Sequence, residues 1–177
     1  MDQLESTHRE EAKPVPGFSV VFAPHRVDLS GKGKSIFLAG SIDEGKAVDW
    51  QTSITQKLSN LPVTILNPRR PDWDSSWEED IAFEPFREQV EWEQDMLQAA
   101  DVIALYFAPA SKAPISLLEL GLFARTGKMV VACPPGYWKR GNVQIVCERL
   151  KVELVDSIDK LVQSVERKVR SLLVAAP

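Results

Sequence analysis

From residue 35 onward, short apolar runs alternate with longer segments whose apolar residues recur every three or four positions. SIFLA (35–39), VTILNP (63–68), DVIALYFAP (101–109), KMVVACP (128–134) and VELV (152–155) read as strands. Apolar residues on consecutive positions are expected of strands covered on both faces of a sheet. The intervening segments read as helices: AVDWQTSITQKLSN (47–60), with Val48, Ile54 and Leu58 near one face; 84–99, with Pro85 in its first turn; ISLLELGLFART (115–126), ending near Gly127; VQIVCERL (143–150); and the amphipathic closing segment 157–173. Such alternation predicts right-handed βαβ units, hence an α/β fold with a doubly wound, parallel five-stranded sheet and helices on both faces. Ligands in such folds lie beyond the carboxyl ends of the strands, near the topological switch point. That singles out Gly40, Ser41, Asn67 and Phe107. Ahead of this unit, residues 1–17 are charged and proline-containing, 18–24 (FSVVFAP) is a candidate edge strand, and 29–34 (LSGKGK) reads as a connector. Residues 1–34 are accordingly read as a partly flexible extension and 35–177 as one domain.

Composition narrows the function classes. With 44% hydrophobic and 26% charged residues the chain has the make-up of an ordinary globular protein. Its formal net charge of −4 argues against a nucleic-acid surface. No apolar run approaches a membrane span, and the acidic start MDQLESTHREEAK is unlike a signal peptide, so a cytoplasmic protein is expected. Two histidines, His8 and His25, and two separated cysteines, Cys133 and Cys147, argue against a metal site. The cysteines read as reduced core residues. The loop after residue 39 is neither GxGxxG nor a P-loop, so no nucleotide cofactor is indicated.

Two glutamates break the hydrophobic pattern. In helix 84–99, Phe86, Val90 and Leu97 define an apolar stripe, and Glu93 falls in its middle, with Asp95 on the opposite side. In the next helix Ile115, Leu118 and Leu122 share a face, with Glu119 among them. A carboxylate on an apolar face costs several kcal/mol, roughly, unless it is paired or hydrogen-bonded. Either hidden partners such as Arg87 or Arg125 satisfy both glutamates, or both point into the cleft at the strand ends. There one could attack and the other protonate, the two-carboxylate logic of glycosyl transfer. Glu119 lies near its helix start, where the positive dipole end favours ionisation. The turn GSIDEG sets Gly40 and Gly45 around Ser41, a layout that lets backbone approach a ligand closely.

FLAGSIDEG, LNPRRPDW, VEWEQDMLQAADVIALYF and SLLELGLFARTGK, in that order over roughly residues 35–150, resemble the nucleoside 2-deoxyribosyltransferase family. The resemblance implies a flavodoxin-like fold and exchange of the base on a 2-deoxyribonucleoside through a covalent glycosyl-enzyme intermediate, with no cofactor. It assigns the nucleophile to Glu119, eighteen residues beyond Asp101, and base protonation to Glu93, eight before it. It also implies a homo-oligomer in which an asparagine of a neighbouring subunit holds the sugar, here Asn142, with Gln144 two residues on. The nearly all-round apolar helix 115–126 suits packing against another subunit; alternatively, Asn142 caps the helix after Gly141. Trp73, Trp77 and Phe107 are candidates for stacking on the base, or else core or interface aromatics.

The chain departs from the family pattern in places. Classical members carry a first-strand tyrosine near the nucleophile, where SIFLA offers Ile36 and Phe37, and an aspartate six residues before it, here Ala113. Ser111 or Ser116 is the candidate replacement. A related branch, the deoxynucleoside monophosphate N-hydrolases, follows a similar GSI turn with a basic residue for the 5′-phosphate. Asp43 stands there instead, favouring an uncharged nucleoside, although Arg69 and Arg70 offer positive charge nearby. The expected activity is base exchange on nucleosides; the alternatives are an N-glycoside hydrolase and a non-catalytic nucleoside-binding module.

Overall fold

A computed structural model describes residues 13–42 and 49–175. Asp43, Gly45 and Val48 lie outside the described residues. The chain folds as β1 (Ser19–Phe22), β2 (Lys34–Gly40), α1 (Trp50–Lys57), β3 (Val63–Asn67), α2 (Glu84–Ala99), β4 (Val102–Tyr106), α3 (Pro114–Phe123), β5 (Met129–Ala132), α4 (Arg140–Leu150), β6 (Glu153–Val155) and α5 (Ile158–Val174). The strands form one sheet in the order β1-β3-β2-β4-β5-β6, every pairing parallel. The sheet is therefore six-stranded rather than the expected five. The sixth strand is the 18–24 segment, which pairs Ser19 to Thr64 and Phe22 to Asn67 along the edge of β3.

Alternation along each strand sorts the core into two layers. Ile36, Leu38, Val102, Ala104, Val130 and Ala132 face Trp50 and Ile54 of α1 and Leu161, Val165 and Val169 of α5. Phe37, Ile103, Leu105, Val131 and Cys133 face Trp92 and Leu97 of α2, Leu120 and Phe123 of α3, and Val143 and Cys147 of α4. Burial on both sides explains the continuous apolar runs. Cys133 and Cys147 are buried free thiols. Asp49 caps α1, accepting from the Thr52 amide at 3.0 Å, and Ser157 caps α5. No helix among the described residues is long and apolar enough to cross a membrane.

The chain leaves β3 through α2, passes over β2 and enters the sheet as β4, so the switch point lies between β2 and β4. Both ends of this seam are fastened. At the amino end, the Asp101 carboxylate accepts from the Ser35 amide (2.9 Å) and hydroxyl (3.0 Å), and Lys34 stands 3.4 Å away. At the carboxyl end, Gly40 pairs with Tyr106 at φ +141°, and a Cβ on Gly40 would sit 2.2 Å from the Tyr106 carbonyl oxygen. Only glycine fits so close an approach.

The two helices next to the switch point are turned differently from the sequence expectation. The buried residues of α2 are Gln89, Trp92, Met96 and Leu97, whereas Val90 lies at the surface and Phe86 is only partly buried. Phe86 and Val90, with Ile81, instead line a shallow surface depression. In α3 the inward residues are Ser116, Glu119, Leu120 and Phe123. Ile115, Leu118 and Leu122, expected to be buried beside Glu119, are 58, 56 and 54% exposed. A spacing of three and four residues marks a shared face, but not which face meets the core.

Candidate active site

Glu93 projects from the inward edge of α2, before β4, and Glu119 from the inward face of α3, after it. These helices flank the switch point on the same side of the sheet. Glu119 is 5% exposed, and Glu93 is partly buried. The cations once eligible to satisfy them are elsewhere: Arg87 pairs with Glu91, and no cation is paired with Glu93 or Glu119 among the described residues. Burial pushes the Glu119 carboxyl up to about 8, and the negative charge of Glu93 adds to the rise. Burial pushes Glu93 up to about 7, opposed by a hydrogen bond from the Gln89 amide at 2.8 Å. Two acids that feel each other's charge part with their protons in sequence, so near neutrality the pair holds about one proton between them.

The expectation that the helix start would ionise Glu119 does not hold. Glu119 is the sixth residue of α3; the dipole effect fades within the first turn, whereas desolvation acts on the buried carboxyl in full. The sign carries into stability. Folded-state values above the ordinary carboxyl value of 4.5 mean that the folded chain binds protons the unfolded chain releases. Stability from the neutral acids is complete below about pH 4.5 and is lost as pH rises through about 7 to 8. Glu119→Gln is therefore expected to be more stable than wild type at alkaline pH, by about 2 kcal/mol, with little difference below pH ~5. Urea unfolding at the two pH values checks it.

The other sequence candidates fall into three groups. Some build the floor. Ser41 is buried; its amide donates to the Tyr106 carbonyl (3.0 Å), its hydroxyl oxygen accepts from the Ala108 amide (3.1 Å), and its carbonyl accepts from Trp50 Nε1 (2.8 Å). With Gly40 it fastens β2 to β4 rather than standing open for a ligand. Asn67 is buried, its Oδ1 accepting from the Arg69 amide at 3.0 Å to close the turn after β3. Phe107 is fully buried against the Tyr137 ring, 4.7 Å between centroids, so its place is the core and not a base-stacking surface.

Others lie beside the glutamates. Ser116 is buried one turn before Glu119 on the same face of α3, and Ser111 is buried in the loop leading to it. Ala113, in place of the family aspartate, takes a left-handed conformation (φ 43°) ahead of α3. A third group is peripheral within a single chain. Trp73 and Trp77 pack on each other (5.0 Å), Trp77 also meets Phe83, and the Arg70 guanidinium lies over its ring. Asn142 and Gln144 are exposed on α4, at the carboxyl side of β5. Asn142 lies inside the first turn and not at the cap, which is Lys139, so the capping alternative fails. Sequence reading missed Gln89, a buried polar residue one turn before Glu93; its signal was a polar side chain at i−4 from a residue already suspected.

Residues 33–137 match the family model described as nucleoside 2-deoxyribosyltransferase like. The chain belongs to that family. No curated protein matches it. The part that matches the nucleoside 2-deoxyribosyltransferase-like family runs from the start of the switch-point strands to the loop after β5, and carries both glutamates, Gln89 and the Gly40–Ser41 turn. Asn142 and Gln144 lie beyond it. Members of the family are generally enzymes of glycosyl transfer or hydrolysis, in keeping with a pair of buried carboxyls at the switch point.

Proposed function

We propose that the protein cleaves the N-glycosidic bond of nucleosides and transfers the sugar to a second base through Glu119. The observation that carries this reading is the placement of Glu93 on the inward edge of α2 and Glu119 on the inward face of α3, flanking the switch point on one side of the sheet, with no cation paired to either among the described residues. Such a pair, sharing one proton, can supply an acid and a nucleophile together. The Glu119 carboxylate attacks the anomeric carbon; the C–N bond breaks with its electron pair passing to the base nitrogen, which takes its proton from Glu93. Nitrogen of an incoming base then attacks the glycosyl ester, Glu93 recovers the proton, and Glu119 is released. Positive charge developing on the sugar favours the ionised Glu119 and moves the proton toward Glu93.

An uncharged nucleoside suits the site better than a nucleotide. Arg70 is nearly buried between Asp72 (2.8 Å) and Glu88 (2.9 Å), and Arg69 faces Asp49 at 3.7 Å. Arg70 is thereby already engaged, whereas the buried Nη1 of Arg69 makes no hydrogen bond and meets Asp49 only as a loose ion pair. A homo-oligomer follows from the outer face of α3, where Ile115, Leu118 and Leu122 are more than half exposed, and from Asn142 and Gln144, which in this reading reach a neighbour's sugar. Leu118→Glu is expected to yield monomers and to lower turnover at least ~10-fold, since a charge on a buried interface is costly and the site loses its borrowed contacts. Light scattering alongside an activity assay checks both.

Ala113 favours hydrolysis as the second reading, because the loop before α3 lacks the carboxylate that the resemblance places against the sugar. The two outcomes separate in one assay, a 2-deoxyribonucleoside supplied with and without a free acceptor base. Formation of the new nucleoside supports transfer. Release of free sugar at the same rate in both reactions replaces it with hydrolysis.

A further inference from the structure

Gln89 is 4% exposed and stands one turn before Glu93 on α2. Its Nε2 donates twice, to Glu93 Oε1 at 2.8 Å and to the Pro68 carbonyl at 2.8 Å. The second bond decides the orientation of the amide. A main-chain carbonyl can only accept, so turning the amide would set its oxygen against the Pro68 oxygen. Gln89 Oε1 is itself buried with no hydrogen-bond partner. An unsatisfied buried carbonyl costs about 1–3 kcal/mol. The geometry therefore tolerates an orphan acceptor to hold one donor, in a fixed direction, against one oxygen of Glu93.

We infer that Gln89 is a positioning residue for the proton donor: the Pro68-locked amide occupies Oε1 of Glu93 and leaves Oε2 as the oxygen that carries the proton to the departing base. The inference rests on the glycosyl-transfer reading above. A carboxylic acid has two oxygens and two proton placements on each; engaging one oxygen as an acceptor fixes the plane of the group and aims the other. The bond also stabilises the ionised acid once the proton has left. The charged group facing Glu93 from the neighbouring helix is Glu119. The sheet layer beneath α2 offers the apolar Phe37, Ala39 and Leu105, and the nearby Asp95 is held at the surface by Arg26. Among the described residues, no other polar side chain is hydrogen-bonded to Glu93.

The test is Gln89→Met, of similar length but without the donor, measured by carbon-13 NMR of the Glu93 carboxyl and by steady-state kinetics. The midpoint of Glu93 is expected to rise by about one pH unit because the ionised form loses its donor. Turnover number is expected to fall about 10- to 100-fold with KM within about twofold, the mark of lost proton-transfer geometry and not of lost substrate binding. As a second measurement, independent of any variant's folding, the Gln89 side-chain amide protons of the wild-type protein are expected to titrate with Glu93. An unmoved Glu93 midpoint with unchanged turnover number in folded Gln89→Met, or wild-type amide protons indifferent to the Glu93 titration, refutes the positioning role while the glycosyl-transfer reading stands. A wild-type protein that turns over no nucleoside removes that reading, and the positioning role falls with it.

Discussion

Replacing Glu119 by glutamine is expected to lower nucleoside cleavage and base exchange at least ~10³-fold, with the fold intact, because the substitution removes the attacking oxygen anion while keeping shape and hydrogen-bonding capacity. The size follows from what the side chain is asked to supply. A carboxylate held at the switch point turns one difficult displacement into two easier ones, and an amide cannot form the ester. Glutamine fills the space of the buried Glu119 side chain, so it leaves no room for a carboxylate from solvent to take its place. Kinetics of the purified variant, together with its circular dichroism, check the claim. The converse gain in alkaline stability belongs to the same experiment: a residue retained at the cost of folding is a residue retained for chemistry.

Gly40→Ala has the other large expected effect, this time on folding. The added methyl would stand 2.2 Å from the Tyr106 carbonyl oxygen and 2.9 Å from the Tyr106 nitrogen, both of them backbone atoms of the central strand β4. Neither can swing aside as a long side chain could, and the left-handed backbone at Gly40 penalises any Cβ as well. The seam must open, and with it the Ser41 hydrogen bonds to Tyr106 and Ala108 at the mouth of the site. A loss of about 3 kcal/mol or more is expected, read from the urea midpoint. By contrast, Gly121 has open space around the position of a Cβ and should tolerate alanine with little loss.

The parts of the fold legible in the sequence were those where one physical signal dominates. Strands covered on both faces show as unbroken apolar runs, and the alternation with helices dictates parallel pairing, so β2 through β6 were readable in order. β1 was ambiguous because four residues between prolines become a strand only when an edge such as β3 is there to receive them. Helix orientation was harder. The stripe through Phe86 and Val90 is a real stripe, yet Trp92 and Gln89 hold the core side of α2 while Val90 meets solvent. In α3 the apolar residues cover more than the sheet requires; the face left over, Ile115, Leu118 and Leu122, is more uniformly apolar than the core face of Ser116, Glu119, Leu120 and Phe123, so hydrophobicity alone pointed to the wrong side. Glu93 was found twice, by helical spacing and by resemblance, because a charge in an apolar stripe is conspicuous. Gln89 was not, because glutamine on a helix is ordinary until its partners are seen. Ser41 and Asn67 were picked for their places at strand ends, and those places give them structural work: the Ser41 hydroxyl oxygen accepts from the Ala108 amide beyond β4, and Asn67 Oδ1 from the Arg69 amide in the turn after β3.

The central claim is that Glu119 becomes covalently joined to the sugar during turnover. It is tested most directly by mixing the protein with a 2-deoxyribonucleoside, quenching in acid within the steady state, and mapping peptide masses. The account predicts a deoxyribosyl residue on the peptide that carries Glu119, absent from Glu119→Gln and chased away by added base. Turnover of the nucleoside with no such adduct, or with the sugar on a different residue, would contradict it.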